Sequence, residues 1–108
     1  MRASFIIFVL ILVAPHLADA GHVYGTLRAN NQPVAHVSGQ INCGSMSYGV
    51  RTDQHGSYSI YIPQKGRCTL CIPYGGQVAT HDLYSYDNPV RYDFDLIRQG
   101  AGYILRRR

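Results

Sequence analysis

The chain has 108 residues and carries ten Lys and Arg against six acidic residues, all of them Asp, for a formal net charge of +4 and a pI of about 9.2. That size excludes several large domains. The longest apolar run, Phe5 to Ala14, is too short to cross a hydrocarbon layer about 30 Å thick as a helix, and no later segment approaches ~18 apolar residues.

In chain order, Met1-Arg2 supplies a positive start, Phe5–Ala14 an apolar stretch and Ala18-Asp19-Ala20 a small-x-small cleavage site, so residues 1–20 read as a signal peptide. The expectation is a soluble domain over 21–108, secreted or periplasmic after cleavage near Ala20, with nucleic acid disfavoured as a partner by that compartment. Cleavage one residue later would expose His22 as an amino-terminal copper chelate, but it would put Asp19 where a small residue belongs.

From Gly21 onward no run has helical period, whereas two-residue alternation recurs between turn signals about every 8–12 residues. A first strand over about 22–27 sets Val23, Gly25 and Leu27 on one face and ends in the loop Ala29-Asn30-Asn31-Gln32-Pro33. A second covers about 34–43 and turns at Gly44-Ser45. A third, about 47–52, places Tyr48, Val50 and Thr52 together before the turn Asp53-Gln54-His55-Gly56. The fourth alternates Tyr58, Ile60 and Ile62 with Ser57, Ser59 and Tyr61, then stops at Pro63. A fifth over 67–74 is followed by Gly75-Gly76 and a sixth within 77–86. The seventh, over 90–96, alternates Val90, Tyr92, Phe94 and Leu96 with Arg91, Asp93 and Asp95. Tyr103-Ile104-Leu105 can add an edge strand before the basic tail Arg106–Arg108. The prediction is an all-β, seven-stranded antiparallel sandwich.

A domain this small buries only about 60–65% of its unfolded surface, so a covalent staple is useful. Cys43, Cys68 and Cys71 offer three pairings. Alternation puts Cys68 on the face of Leu70 and Ile72 and turns Cys71 away, while Cys43 lies in phase with Val37 and Ile41. Cys43–Cys68 is therefore the preferred disulfide, closing a loop whose entropy is worth ~3 kcal/mol, with Cys71 a free thiol that could link two copies into a homodimer. The Cys68-x-x-Cys71 spacing lies on a strand, without the helix dipole that activates redox dithiols. His22, His36, His55 and His81 have no paired spacing, so no metal or other cofactor is expected.

Gly25 after Val23, Gln32-Pro33-Val34-Ala35-x-Val37, Thr52-Asp53-x-x-Gly56-x-Tyr58 and the turn from Pro63 to Gly66 together resemble the carboxypeptidase regulatory-like domain, over about residues 21–96. The resemblance implies a transthyretin-like (prealbumin-like) sandwich and an accessory or recognition role; the stand-alone exported form is similar to small secreted bacterial proteins of this class. Asp53 reads as a cap of its turn rather than a calcium ligand, because no second carboxylate lies nearby. The hydrolase of this scaffold, 5-hydroxyisourate hydrolase, ends in Tyr-Arg-Gly-Ser, whereas this chain ends Tyr103-Ile104-Leu105-Arg106-Arg107-Arg108, and no nucleophile elbow is present. The expected function is thus non-catalytic binding of a protein or polysaccharide, with a small hydrolase as the alternative and no catalytic residue assigned. The candidate contacts are Tyr61, Tyr84 and Tyr86, which the alternation turns outward, and Arg91 among the basic residues.

Overall fold

The structure, a computed structural model, describes residues 21–108; the leader and cleavage site read at residues 1–20 lie outside the described residues. Ten strands follow one another: β1 (His22–Ala29), β2 (Gln32–Pro33), β3 (Ser38–Cys43), β4 (Met46–Arg51), β5 (Ser57–Tyr61), β6 (Gly66–Tyr74), β7 (Gln77–Ser85), β8 (Val90–Arg91), β9 (Phe94–Gln99) and β10 (Gly102–Arg107). They form two sheets. In the first, β1 is central, with β5 and β2 antiparallel on one side, β8 and β9 parallel on the other, and β10 outside β9; the second has the order β4-β3-β6-β7. The class is the predicted all-β sandwich-like arrangement, but the strands number ten rather than seven and are not uniformly antiparallel.

The alternation that defines the strands also builds the core between the sheets. Val23 and Leu27 from β1, Ile41 from β3, Leu70 from β6, Leu83 from β7 and Phe94 from β9 are all essentially excluded from solvent. Burial of such side chains contributes roughly 1.5–3 kcal/mol each. The disulfide joins Cys43 of β3 to Cys68 of the neighbouring β6, on the core side of the second sheet, and Cys71 stays a free thiol facing the other way, as the phase of β6 dictates.

Four local departures from the sequence reading have physical causes. Asn30 and Asn31 both take positive φ (53° and 62°), so the first loop is a two-residue hairpin that sends Gln32 and Pro33 back along β1. Residues 34–37 are not strand: His36 turns at φ 57°, and the Thr52 hydroxyl satisfies the displaced backbone, accepting from Val37 N (2.9 Å) and donating to Val34 O (2.7 Å). The seventh strand is interrupted at Tyr92-Asp93. Finally, Arg106 and Arg107 belong to β10 rather than to a loose tail.

The interruption keeps its register, with Val23 opposite Val90 before it and Leu27 opposite Phe94 after it. At the break the Tyr92 carbonyl lies over Gly25 and accepts the buried Tyr58 hydroxyl (2.6 Å). A Cβ at position 25 would fall on that carbonyl, so the Gly read as a family-like signal is the residue that lets two backbones meet. Asp93 then replaces the missing ladder acceptor: its Oδ1 accepts from Thr26 N at 2.9 Å.

Candidate binding face

Side chains at alternate positions of β1 point away from the core, and His22, Tyr24, Thr26 and Arg28 form the outward row. Because β5 and β8 flank β1, their outward residues join it. His22 stacks on its cross-strand partner Tyr61 (ring centroids 4.5 Å) and on Tyr24 (4.9 Å), and its Nε2 meets the Ser59 hydroxyl at 2.7 Å. The Arg91 guanidinium lies 5.9 Å from the Tyr24 ring centroid. Four strand positions thus make one ladder, Tyr61–His22–Tyr24–Arg91. Aromatic pairs of this kind add about 0.5–1.5 kcal/mol beyond area burial.

The ladder continues into a charged network. Arg91 Nε donates to both oxygens of Asp93 (3.1 and 2.8 Å), and the Thr26 hydroxyl donates to Asp93 Oδ1 at 3.0 Å. Burial by itself would raise the Asp93 pKa, but these bonds from Arg91 and Thr26 outweigh it and hold the carboxyl below the usual carboxylate range. The same hydrogen bond and charge raise the Arg91 pKa. Arg108 reaches across from the end of β10, donating to the Thr26 hydroxyl (2.7 Å) and pairing with Asp95 (2.9 Å). Arg107 lies 4.1 Å from the Tyr92 ring centroid and donates to the Arg91 carbonyl, closing that end of the sandwich.

Of the four candidate contacts read from sequence, the structure brings Tyr61 and Arg91 to this face. Tyr84 and Tyr86 are as exposed as predicted (43% and 51%, against 50% for Tyr61) and stack on each other at 6.3 Å, but they belong to β7 and the turn after it, at the edge of the other sheet. The sequence reading missed His22, Tyr24, Asp93, Asp95 and Arg108 as partners of one site. Strand alternation carries the outward phase of the first four; the adjacency of β1 to β8 and β9, and the docking of Arg108, depend on topology.

Elsewhere, Asp53 caps its turn, with Oδ1 accepting from His55 N (2.8 Å) and Ser57 N (3.0 Å), and the Ser57 and His55 bonds lower its pKa. Gly56 holds φ 76° in that turn. Cys71 is half-buried on the outer face of the second sheet, beside a shallow groove with Gln40 and Pro73, and its Sγ accepts from Asn42 Nδ2 at 3.6 Å. The bond within the chain uses the other two thiols and gives no support to a Cys71-linked dimer. The four histidines of the described residues fall in four separate places: His22 in the ladder, His36 and His55 in turns, and His81 against Phe94 in the sandwich. Among the described residues no group of three or more His, Cys or Asp is placed to hold a metal ion, and no helix is long and apolar enough to cross a membrane. No protein-family model matches the chain, and a search of curated proteins returns no match.

Proposed function

We propose that the protein is a non-catalytic exported β-sandwich module that binds a protein or polysaccharide, in the cell envelope or outside the cell, through the outer face of its first sheet. The observation that carries this reading is the Tyr61–His22–Tyr24–Arg91 ladder running into the Thr26, Asp93, Arg108 and Asp95 network. Each side chain in it is held by a neighbour, so a ligand meets ring edges, hydroxyls and charges whose rotamer entropy has already been lost. A surface built only for solubility has no need of such ordering.

The transthyretin-like, carboxypeptidase regulatory-like assignment belongs to the same proposal. A two-sheet sandwich whose first strand has an antiparallel neighbour on one side and a parallel one on the other supports it, as do Gly25, Asp53 and Gly56, residues among those that carry the resemblance, at the close backbone approach and the capped turn.

The test is retention of the protein on a panel of immobilised polysaccharides and envelope proteins, comparing wild type with Tyr24→Ala/Tyr61→Ala and with Tyr84→Ala/Tyr86→Ala. The first pair should lose retention by about tenfold or more and the second should keep it. Equal loss in both, or loss in the second pair alone, would overturn the choice of face.

A further inference from the structure

We infer that the ligand of this face is an acidic polysaccharide, read by a cationic row beside the aromatic ladder. The inference rests on the binding reading above and names its ligand class. The first observation is where the charge lies. Arg28, Arg91, Arg98, Arg106, Arg107 and Arg108 stand on or at the end of first-sheet strands, against Asp93 and Asp95 alone. Away from this sheet Arg51, Lys65 and Arg67 are balanced by Asp53, Asp82 and Asp87. The residues on or ending the first-sheet strands therefore sum to +4, and the other charged residues sum to zero.

The second observation is how the row is built. Arg28 of β1 and Arg106 of β10 are both cross-strand partners of Asp95 on β9, so the three side chains share the outer face. Asp95 is already taken by Arg108 at 2.9 Å, and among the described residues neither Arg28 nor Arg106 has an ion pair. Two guanidinium groups thus face solvent around a neutralised carboxylate. Next to them a concavity of about 220 Å³ is lined by Asn30, Asn31, Asp95, Arg98 and Arg106.

The mixture of groups selects the ligand class. A guanidinium offers a fork of donors that fits a carboxylate or sulfate in two bonds. Side-chain amides, the Ser59 and tyrosine hydroxyls and the edge of Asp95 suit a ligand rich in hydroxyl groups, each of which both donates and accepts. A bilayer surface supplies anionic headgroups but no sugar ring to stack on Tyr61. A chain of sugar rings, with charges spaced between hydroxyls, meets each group with its complement: charge at Arg28 and Arg106, apolar ring area at Tyr61, the exposed end of the ladder.

Affinity electrophoresis of the protein in polygalacturonate, heparin and dextran, repeated across a salt series, tests this. The expected result is retardation by the two acidic polymers that weakens as salt rises, with none by dextran. Arg28→Gln/Arg106→Gln should weaken it about tenfold, while Arg51→Gln/Arg67→Gln, the same charge change on the other sheet, should leave it unchanged; equal melting temperatures show that the variants are folded. Equal retardation by dextran would overturn the acidic ligand and leave the binding face standing. No retardation by any polymer, or binding of duplex DNA or phosphatidylglycerol vesicles as tight as that of polygalacturonate, would overturn the inference. So would equal loss in the two double variants.

Discussion

Tyr58, Gly25 and Asp93 decide at the residue scale how the first sheet is put together, and each makes a separate prediction. The Tyr58 hydroxyl is buried, which pushes its pKa above the ordinary phenol range, with the Asp93 charge adding to the effect. Its hydroxyl donates to the Tyr92 carbonyl that the break in the ladder has turned inward. Tyr58→Phe leaves that carbonyl buried without a donor and should cost about 1–2 kcal/mol in urea unfolding. Gly25→Ala places a methyl group on the same carbonyl and should cost about 2–3 kcal/mol. Asp93 works through charge. Its pKa in the folded state is depressed, so its stabilising contribution is complete above the unfolded value of about 3.9 and is lost as pH falls through the lower folded value. Asp93→Asn should therefore be less stable than wild type at pH 7, and the gap between them should close as unfolding is measured at successively lower pH below about 4.

At the scale of elements, the disulfide and β10 are the two fastenings. Cys43–Cys68 closes a separation of 25 residues between β3 and β6, and Cys43→Ser/Cys68→Ser should lose about 3 kcal/mol of stability, whereas Cys71→Ser should lose almost none. β10 is held to β9 by its ladder and to the rest of the sheet by Arg107 on Tyr92 and Arg108 on Thr26 and Asp95. Arg107→Ala/Arg108→Ala should cost about 1 kcal/mol, and amide exchange should accelerate in β10 and around Asp93, whose carbonyl accepts from Arg108 N. How much of this was legible depends on the range of the interaction. Alternation gave the inward faces of β1, β5, β6 and β9 and hence the disulfide, because a two-residue period is local. It gave only a loop for the Asn30-Asn31 hairpin, although two successive Asn residues suit a tight two-residue turn, and it missed the turn at His36, whose backbone N donates to the carbonyls of the distant Thr52 and Asp53. It could not place Tyr61 and Arg91 together and Tyr84 and Tyr86 apart, because which strands become neighbours is a property of topology.

For the whole molecule, the two sheets differ in character although they share one core. The outer face of the second sheet mixes small polar pairs with scattered apolar side chains: Asn42 and Ser47 bond each other at 2.7 Å, Thr69 donates to Asp82 at 3.2 Å, and Val78 and Tyr84 stand exposed on β7. The first carries the aromatic ladder and, on or ending its strands, charged residues that sum to +4. A single-sided charge distribution orients an approaching polyanion before contact, which makes association salt-dependent. The candidate face is accordingly one side of the domain, and its residues come from β1, β5, β8, β9 and β10, every strand of that sheet except the two-residue β2.

Amide chemical-shift mapping of the isotopically labelled protein, titrated with oligogalacturonate at low salt, tests the choice of face most directly. The account predicts shifts concentrated in His22–Arg28, Ser57–Tyr61, Arg91–Arg98 and Arg106–Arg108, with β3, β4 and β6 unmoved. Shifts concentrated in Ser38–Arg51 and Arg67–Pro73 would contradict it, because they would place the ligand on the second sheet.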